Sequence, residues 1–149
     1  MKDYIYSKYL KLYIVVETER DAIKSLEMTG QKPDFKPRDS DIARSLAAYF
    51  ETGKQDYSRY KLSLDGMTVF QKKVLNTISK IPPGKTMTYG EVAKAAGKPG
   101  AARAVGNVMA SNPIPLILPC HRVVASNGLG GFSAGLEIKR KLLEFEGAL

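Results

Sequence analysis

The sequence of 149 residues contains one cysteine, one histidine and no tryptophan. A single cysteine excludes an internal disulfide, and together with a single histidine it cannot supply the ligands of a Cys/His-rich zinc site. No apolar run approaches the roughly 20 residues that a membrane helix needs. The opening residues, MKDYIYSKYL, lack the apolar core of a signal peptide. We therefore expect a cytoplasmic protein with no membrane association and no bound metal.

Positive charge exceeds negative charge, with 23 Lys and Arg against 15 Asp and Glu, a net charge of +8 and a pI near 9.5. Basic domains of this size often bind nucleic acid or an anionic surface. Net charge also serves solubility, so it becomes evidence for nucleic-acid binding only where a binding motif accompanies it.

The N-terminal part, residues 1–60, reads as a small α/β domain. Residues 4–17 are rich in Tyr, Ile and Val and predict one or two strands with a hairpin turn near Ser7–Tyr9. Residues 22–28 add a strand, 30–38 a proline-containing loop, and 39–51 a helix that Gly53 ends. This part shows no catalytic spacing, which favours a support role.

The C-terminal part, residues 61–149, reads as mainly helical, so the fold class is α+β. Residues 67–81 predict a helix whose apolar set is Val69, Phe70, Val74, Leu75, Ile78 and Ile81. Two helices follow within 88–112. The apolar stretch LILPCHRVV predicts a short strand or a buried turn, SNGLGGFSAG a loop, and residues 136–146 a final helix.

The segment 88–112 is a helix-turn-helix candidate. Thr88 and Glu91 have the spacing of a capping box, Gly97 suits a helix end, and Pro99 suits the first positions of the next helix. Two short helices joined by a glycine-containing turn also occur as plain helical hairpins, and this alternative stays open.

The second of these helices, GAARAVGNVMA, carries small residues and one charged residue, Arg103. Small side chains allow close approach either to a neighbouring helix or to a DNA groove. In a groove, only Arg103 and Asn107 offer groups that read base edges. If this helix binds DNA, we expect little sequence preference.

Cys120 is the strongest candidate for chemistry, although a lone cysteine is often only a small buried hydrophobe. His121 and Arg122 follow it directly, and cationic or proton-accepting neighbours favour a thiolate. Three prolines stiffen the approach to the cysteine, and a glycine-rich loop follows. Successive residues of a strand point to opposite faces, so adjacency alone does not bring His121 to the sulfur.

A carboxylate near the end of the last helix is a candidate third member. Glu144 and Glu146 both lie there, where negative charge opposes the helix dipole by about 0.3–1 kcal/mol. Each is either a tolerated surface charge or a group that orients an imidazole, and the spacing does not choose between them.

From Val69 to Gly147 the chain resembles the O6-alkylguanine-DNA alkyltransferases, also called methylated-DNA–protein-cysteine methyltransferases. The resemblance rests on the pieces IPPGKTMTYGEVA, AARAVGNVMASNP, LPCHRVV, GLGGFSAG and LLEFEG, in that order. It implies a ribonuclease-H-like N-terminal domain and a C-terminal helix-turn-helix that engages the minor groove. The N-terminal part matches only loosely.

The resemblance also implies residue roles. Cys120 would accept the alkyl group, His121 would activate it through a bridging water, and Glu146 would orient His121. Asn112 would hold the turn around the site. Tyr89 would crowd the phosphate beside the target nucleotide and assist protonation of the departing guanine.

DNA contacts and a base pocket follow from the same resemblance. Arg103 would enter the base stack in place of the extruded base, on a helix surface that includes Ala102 and Asn107. The pocket would be formed by Met109, Val123, Phe132, Ser133 and Ala134. The loop commonly reads G-Y-S-x-G, whereas this chain has Phe132 and Ala134.

The expected function is therefore repair of O6-alkylguanine in double-stranded DNA by transfer of the alkyl group to Cys120. The thioether product has no carbonyl for water to attack, and no second thiol could regenerate the first. We expect one turnover per molecule, no cofactor and a monomer. The alternatives are a non-catalytic helix-turn-helix regulator or damage sensor, and a cysteine hydrolase that uses Cys120 and His121.

Overall fold

Six strands and five α-helices form along the chain in this computed structural model, which describes all residues from Met1 to Leu149. The mixture of a sheet with separate helices confirms the α+β class. Contacts divide the chain into two units, Met1–Ser63 and Leu64–Leu149. None of the helices is long and apolar enough to cross a membrane.

Unit 1 contains a four-stranded sheet and one helix. Strands β1 (Lys2–Ser7), β2 (Leu12–Glu19) and β3 (Ala22–Thr29) pair antiparallel in order, and the short β4 (Lys61–Leu62) pairs parallel to β3. The predicted hairpin is present, with its turn at residues 8–11. Helix α1 (Asp41–Thr52) begins at its Ser40 cap, ends at the left-handed Gly53, and packs on β1.

A buried carboxylate fixes the chain that leads into α1. The carboxylate of Asp3 in β1 accepts hydrogen bonds from the backbone amides of Arg38 at 2.7 Å and Ser40 at 2.8 Å. It also accepts a hydrogen bond from the Ser40 hydroxyl. Burial raises the pKa of Asp3, but these donors outweigh burial, and the net pKa lies below its usual value. The loop 30–40 is thereby tied to the sheet.

Unit 2 is mainly helical. Its elements are α2 (Val69–Ser79), β5 (Met87–Thr88), α3 (Tyr89–Ala95), α4 (Ala102–Ala110), a 3-10 turn (Cys120–Arg122), β6 (Val123–Val124) and α5 (Leu136–Phe145). Its core is an apolar set from α2, α3, α4, α5 and the segment before the 3-10 turn: Val74, Leu75, Ile78, Val92, Val105, Ile114, Leu116, Leu142 and Leu143.

Two details of the predicted helices were wrong. Val69 is 71% exposed, because α2 begins there and its first residue points away from the core. Pro99 does not begin a helix: it lies in the turn between α3 and α4, and α4 begins only at Ala102. The capping box of Thr88 and Glu91 is present at the start of α3, and Gly97 takes a left-handed conformation after it.

A short parallel pair brings two distant segments together. Met87 of β5 pairs with Val123 of β6, and Thr88 pairs with Val124. Because α3 begins immediately after β5 and the 3-10 turn ends immediately before β6, this pair places Tyr89 near the segment that contains Cys120. Helices α3 and α4 pack against each other beside it.

Candidate active site

The segment that leads to Cys120 is a buried loop. Residues 114–123 are all buried, and a buried loop needs partners for its backbone groups. Asn112 supplies two of them: its side-chain amide donates to the Leu118 carbonyl at 2.9 Å, and its side-chain oxygen accepts from the Ile114 amide at 3.0 Å. Asn112 therefore holds the loop around the cysteine.

The sequence predicted either a short strand or a buried turn for LPCHRVV. The structure shows a buried turn, followed by the two residues of β6. Cys120 begins the 3-10 turn, and its amide donates to the Leu118 carbonyl at 2.7 Å. The thiol is buried and faces a cavity. Burial raises the pKa of Cys120, while Asn112 and the positive charge of Lys139 act in the opposite direction.

Glu146, at the C-terminal end of α5, holds both residues that follow Cys120. Its Oε2 lies 2.9 Å from His121 Nε2, and Arg122 binds its two oxygens at 2.9 and 2.7 Å. The side chains of Glu146 and His121 are fully buried. Arg122 also donates to the Ile81 carbonyl at 2.7 Å. Between Glu144 and Glu146, the structure therefore places Glu146 on the imidazole.

These contacts define the protonation of His121. A carboxylate that receives two Arg122 donors can only accept from His121, so Nε2 carries the proton in the neutral ring. Burial lowers the pKa of His121 most, with Arg122 and Lys139 in the same direction and Glu146 opposed. Nδ1 then carries a lone pair, and it is the one buried side-chain nitrogen or oxygen without a hydrogen-bond partner. His121 is thus built to accept a proton at Nδ1.

A cavity of about 270 Å³ opens onto Cys120. Its lining residues come from α3, α4, the cysteine turn and the glycine loop (residues 126–135). They are Tyr89, Gly106, Met109, Ala110, Cys120, Gly131, Phe132 and Ser133. The volume lies just below the roughly 300–1,000 Å³ typical of small-molecule sites, so the cavity suits a small ligand. The Phe132 ring also packs edge-on to His121, with centroids 6.4 Å apart.

Two predicted pocket residues do not line this cavity. Val123 is fully buried in β6, and its carbonyl accepts a hydrogen bond from Lys139 instead of facing the cavity. Ala134 follows Ser133 in the turn before α5 and does not line the cavity. Met109, Phe132 and Ser133, the other three residues that the resemblance implied for the pocket, line the cavity.

Tyr89 joins the glycine loop to the helix pair. Its hydroxyl accepts a hydrogen bond from the Gly131 amide at 3.2 Å and lies on the cavity wall. Gly130 has a φ of 74°, and a Cβ there would lie 2.5 Å from the Tyr89 hydroxyl, so only glycine fits. Because the hydroxyl accepts from Gly131, its own proton remains available for a group in the cavity.

Helix α4 connects the cavity with an exposed surface. Gly106, Met109 and Ala110 line the cavity, while Arg103 and Asn107 are exposed one turn apart on the outer side and Ala102 is half-buried at the helix start. The structure therefore places the predicted DNA-contacting residues beside the cavity, although they do not enter it.

Sequence reasoning missed two buried cations, Arg122 and Lys139. Lys139 is fully buried and lies on the inner face of α5 with Leu142, Leu143 and Glu146, at the spacing of one helical stripe. A lysine inside an apolar stripe is the signal that could have found it. No group of three or more His, Cys, Asp or Glu side chains is placed to hold a metal ion.

Comparisons with known proteins agree with this geometry. The family model described as "6-O-methylguanine DNA methyltransferase, DNA binding domain" matches residues 69–148. The chain is 42% identical over 140 residues to the methylated-DNA–protein-cysteine methyltransferase of Methanosarcina mazei, which covers 93% of this chain and 85% of that protein. It is 49% identical over 109 residues to that of Methanosarcina acetivorans, covering 72% and 69%.

Solved structures give the same result over the whole length. The crystal structure of Mycobacterium tuberculosis OGT in complex with DNA is similar to this chain with a TM-score of 0.83 and 35% identity. The match covers 99% of this chain and 92% of that one. The likeness therefore includes unit 1, where the sequence resemblance was weakest.

Proposed function

The chain belongs to the family of methylated-DNA–protein-cysteine methyltransferases, DNA-binding repair proteins that transfer an alkyl group to a cysteine, and we propose that Cys120 is the acceptor in this member. The observation that carries the proposal is the cavity wall: the chain's only cysteine lines a cavity of about 270 Å³, and a histidine with a free ring nitrogen follows it in the chain. The expected substrate is O6-alkylguanine in duplex DNA.

The first step is loss of the thiol proton. We assign the base as His121, which is neutral and has its free lone pair on Nδ1, and the proton passes to it through a water. Glu146 keeps the ring in this tautomer and stabilises the imidazolium that forms, while Arg122 holds Glu146. Asn112 keeps the loop that carries Cys120 in place.

The second step is displacement at a saturated carbon. The thiolate sulfur forms a bond to the alkyl carbon as the bond from that carbon to guanine O6 breaks, and the electron pair remains on the guanine. The guanine takes up a proton, for which the Tyr89 hydroxyl is the donor beside the cavity. The proton that His121 took from the thiol then returns through solvent to the Tyr89 phenolate, so overall the sulfur gains the alkyl group and the guanine gains the thiol proton. The thioether is stable, so each molecule reacts once.

DNA is bound through the helix pair. We assign α3 and α4 as a helix-turn-helix whose exposed surface, formed by Ala102, Arg103 and Asn107, enters the minor groove. Its few polar groups provide little base readout, so binding depends on phosphates and has little sequence preference. Arg103 fills the space that the extruded base leaves, which offsets part of the few kcal/mol that extrusion typically costs.

Three finer assignments remain proposals. Unit 1 is ribonuclease-H-like, on the evidence of an antiparallel three-strand meander followed by a helix and a short parallel strand. Its role is support, because residues 1–60 show no catalytic spacing in the sequence. The protein acts as a monomer in the cytoplasm, as the sequence predicted.

The test of the proposed function is a mass measurement. The protein is mixed with a duplex that carries one O6-methylguanine, and the intact mass and the tryptic peptides are recorded. We expect a gain of one methyl group per protein molecule, on the peptide that contains Cys120, and the appearance of guanine in the duplex. A protein that gains no methyl group under stoichiometric conditions contradicts the proposal.

Two controls separate the alternatives. Cys120→Ala should abolish methyl transfer while duplex affinity stays within about twofold of the wild type, because Cys120 does not lie on the proposed DNA surface. Several turnovers on an ester or amide would instead indicate a cysteine hydrolase. Tight binding to one unmodified sequence would indicate a regulator.

A further inference from the structure

Lys139 is a fully buried cation on the inner face of α5, where the neighbouring positions are Leu142 and Leu143. Burying an ammonium group costs several kcal/mol unless hydrogen bonds and an opposite charge compensate it. A surface lysine would serve solubility equally well, so this burial needs an explanation.

The two hydrogen bonds of Lys139 join two walls of the active site. Its Nζ donates to the Val123 carbonyl at 2.6 Å and to the Gly131 carbonyl at 2.9 Å. Val123 follows the 3-10 turn of Cys120, and Gly131 lines the cavity and donates its amide to Tyr89. One side chain therefore connects the cysteine turn with the glycine loop.

Neither partner of Lys139 carries a charge. Lys139 forms no ion pair. Glu146, the buried carboxylate at the end of the same helix, binds His121 and Arg122 instead. Cys120, which begins the turn before Val123 and lines the same cavity as Gly131, is the ionisable group of opposite sign beside these two carbonyls. Burial lowers the pKa of Lys139 to about 8, and Cys120 opposes that change.

We propose that Lys139 is a positioning residue that acts through Cys120: its buried charge is the counter-ion of the reactive thiolate, and its two hydrogen bonds hold the glycine loop against the cysteine turn. The other titratable groups of the site are Tyr89, which shares the cavity with Cys120, and His121, Arg122 and Glu146, which bind one another beside the cysteine turn. The inference rests on the proposed function, since it assigns Lys139 to the same transfer reaction.

The charge role has a defined consequence for pH dependence. Without the lysine charge the thiolate loses its counter-ion, and the pKa of Cys120 rises. A smaller fraction of the thiol is then ionised at neutral pH, and the transfer rate falls there but recovers as the pH is raised. A purely structural role would lower the rate equally at every pH.

The experiment compares Lys139→Met, Lys139→Gln and Lys139→Arg with the wild type. The ionisation of Cys120 is followed by thiolate absorbance at 240 nm, with a Cys120→Ser protein subtracted to remove tyrosine, and single-turnover methyl transfer is measured from pH 6 to 9.5. The absorbance belongs to Cys120 because the chain has no other cysteine.

We expect Lys139→Met and Lys139→Gln to shift the Cys120 midpoint upward by about one pH unit and to slow transfer about tenfold at pH 7, with recovery at high pH. Lys139→Arg should keep the wild-type midpoint. Arg140→Gln, the matched control, removes an exposed charge from the next position of α5 and should leave both curves unchanged. Unshifted midpoints in Met and Gln would overturn the charge role.

A reciprocal measurement covers the case in which Met and Gln fail to fold. Coupling between two sites is symmetric, so removing the thiolate must lower the pKa of Lys139. Side-chain nitrogen NMR of lysine should show a lower Lys139 midpoint in Cys120→Ser than in the wild type, and equal midpoints would overturn the proposal. Both titrations need no DNA, so their failure is distinct from a failure of methyl transfer.

Discussion

At the residue scale, the most informative contact is that between His121 and Glu146. Cys120 and His121 are adjacent in sequence, yet what prepares His121 is a carboxylate 25 positions further along, which fixes the proton on Nε2. Adjacency in the sequence therefore indicated the right residues, whereas the tautomer follows from a tertiary contact.

Replacing Glu146 by Gln tests that contact. The Arg122 donors should hold the amide oxygen, so the amide nitrogen faces His121 and donates to Nε2. The imidazole would then carry its proton on Nδ1 and could not accept another. We expect methyl transfer to slow by about 10²-fold or more, the scale of a lost general base, in single-turnover assays.

The same change should also destabilise the protein, because it leaves the Arg122 guanidinium buried without its anion. We expect a loss of about 3–5 kcal/mol in the free energy of unfolding, measured by urea denaturation. Glu144→Gln is the matched control: Glu144 is exposed, and its loss should change stability by less than about 0.5 kcal/mol. Equal effects of the two changes would contradict this account.

The sequence, through its family resemblance, implied Cys120, His121, Asn112 and Glu146 as members of one site, and the structure joins His121 to Glu146 and Asn112 to the loop that leads to Cys120. It did not predict Arg122 and Lys139 as buried groups, since charged residues are seldom fully buried and their burial depends on partners far away in the chain. Arg122 needs Glu146 and the Ile81 carbonyl, and Lys139 needs the carbonyls of Val123 and Gly131.

At the element scale, local signals predicted well and long-range pairing did not. The capping box of Thr88 and Glu91 and the left-handed Gly97 depend on neighbouring residues, and both were found. The pairing of β5 with β6 joins residues far apart in the sequence and involves only two residues from each strand, so no periodicity reveals it. That pairing nevertheless places Tyr89 at the cavity.

Helix α4 carries the prediction for base extrusion. Arg103 is exposed and makes no hydrogen bond or ion pair within the protein, so Arg103→Ala should leave the fold intact. We expect transfer from duplex O6-methylguanine to slow about tenfold or more, because base extrusion loses a compensation worth one to a few kcal/mol. Transfer from the free base O6-methylguanine should stay within about twofold of the wild type.

The control for Arg103 is Arg140→Ala, which removes an exposed side chain of the same type from a different helix, α5. It should reduce the duplex rate far less than Arg103→Ala does. Equal losses on the duplex and on the free base in Arg103→Ala would show that the arginine supports the pocket, and the extrusion role would be wrong.

At the scale of the whole molecule, two properties of the sequence bear on the structure and on the partner: the polar stretch between the units and the positive net charge. Residues 55–66 are polar and suit a connector, and the division after Ser63 falls within them, three residues beyond the boundary placed after residue 60. The net charge of +8 alone did not distinguish nucleic-acid binding from solubility. Together with the family match, which supports DNA as the partner, it indicates electrostatic attraction to DNA phosphates.

That charge leads to a prediction about affinity. Lysine and arginine side chains that neutralise phosphates release condensed counterions, so the logarithm of the association constant should fall linearly with the logarithm of salt concentration. Between 50 and 200 mM salt we expect duplex affinity to drop by about tenfold or more, measured by fluorescence anisotropy, with similar slopes for unrelated sequences.

Transfer from free O6-methylguanine isolates this effect from the chemistry. The base carries no phosphate, and the reacting groups Cys120, His121 and Glu146 are buried away from salt screening. Its rate should therefore stay constant over the same salt range while the duplex reaction weakens at subsaturating protein. An affinity that ignores salt, or that changes strongly with the sequence of an undamaged duplex, would mean that base edges rather than phosphates hold the DNA.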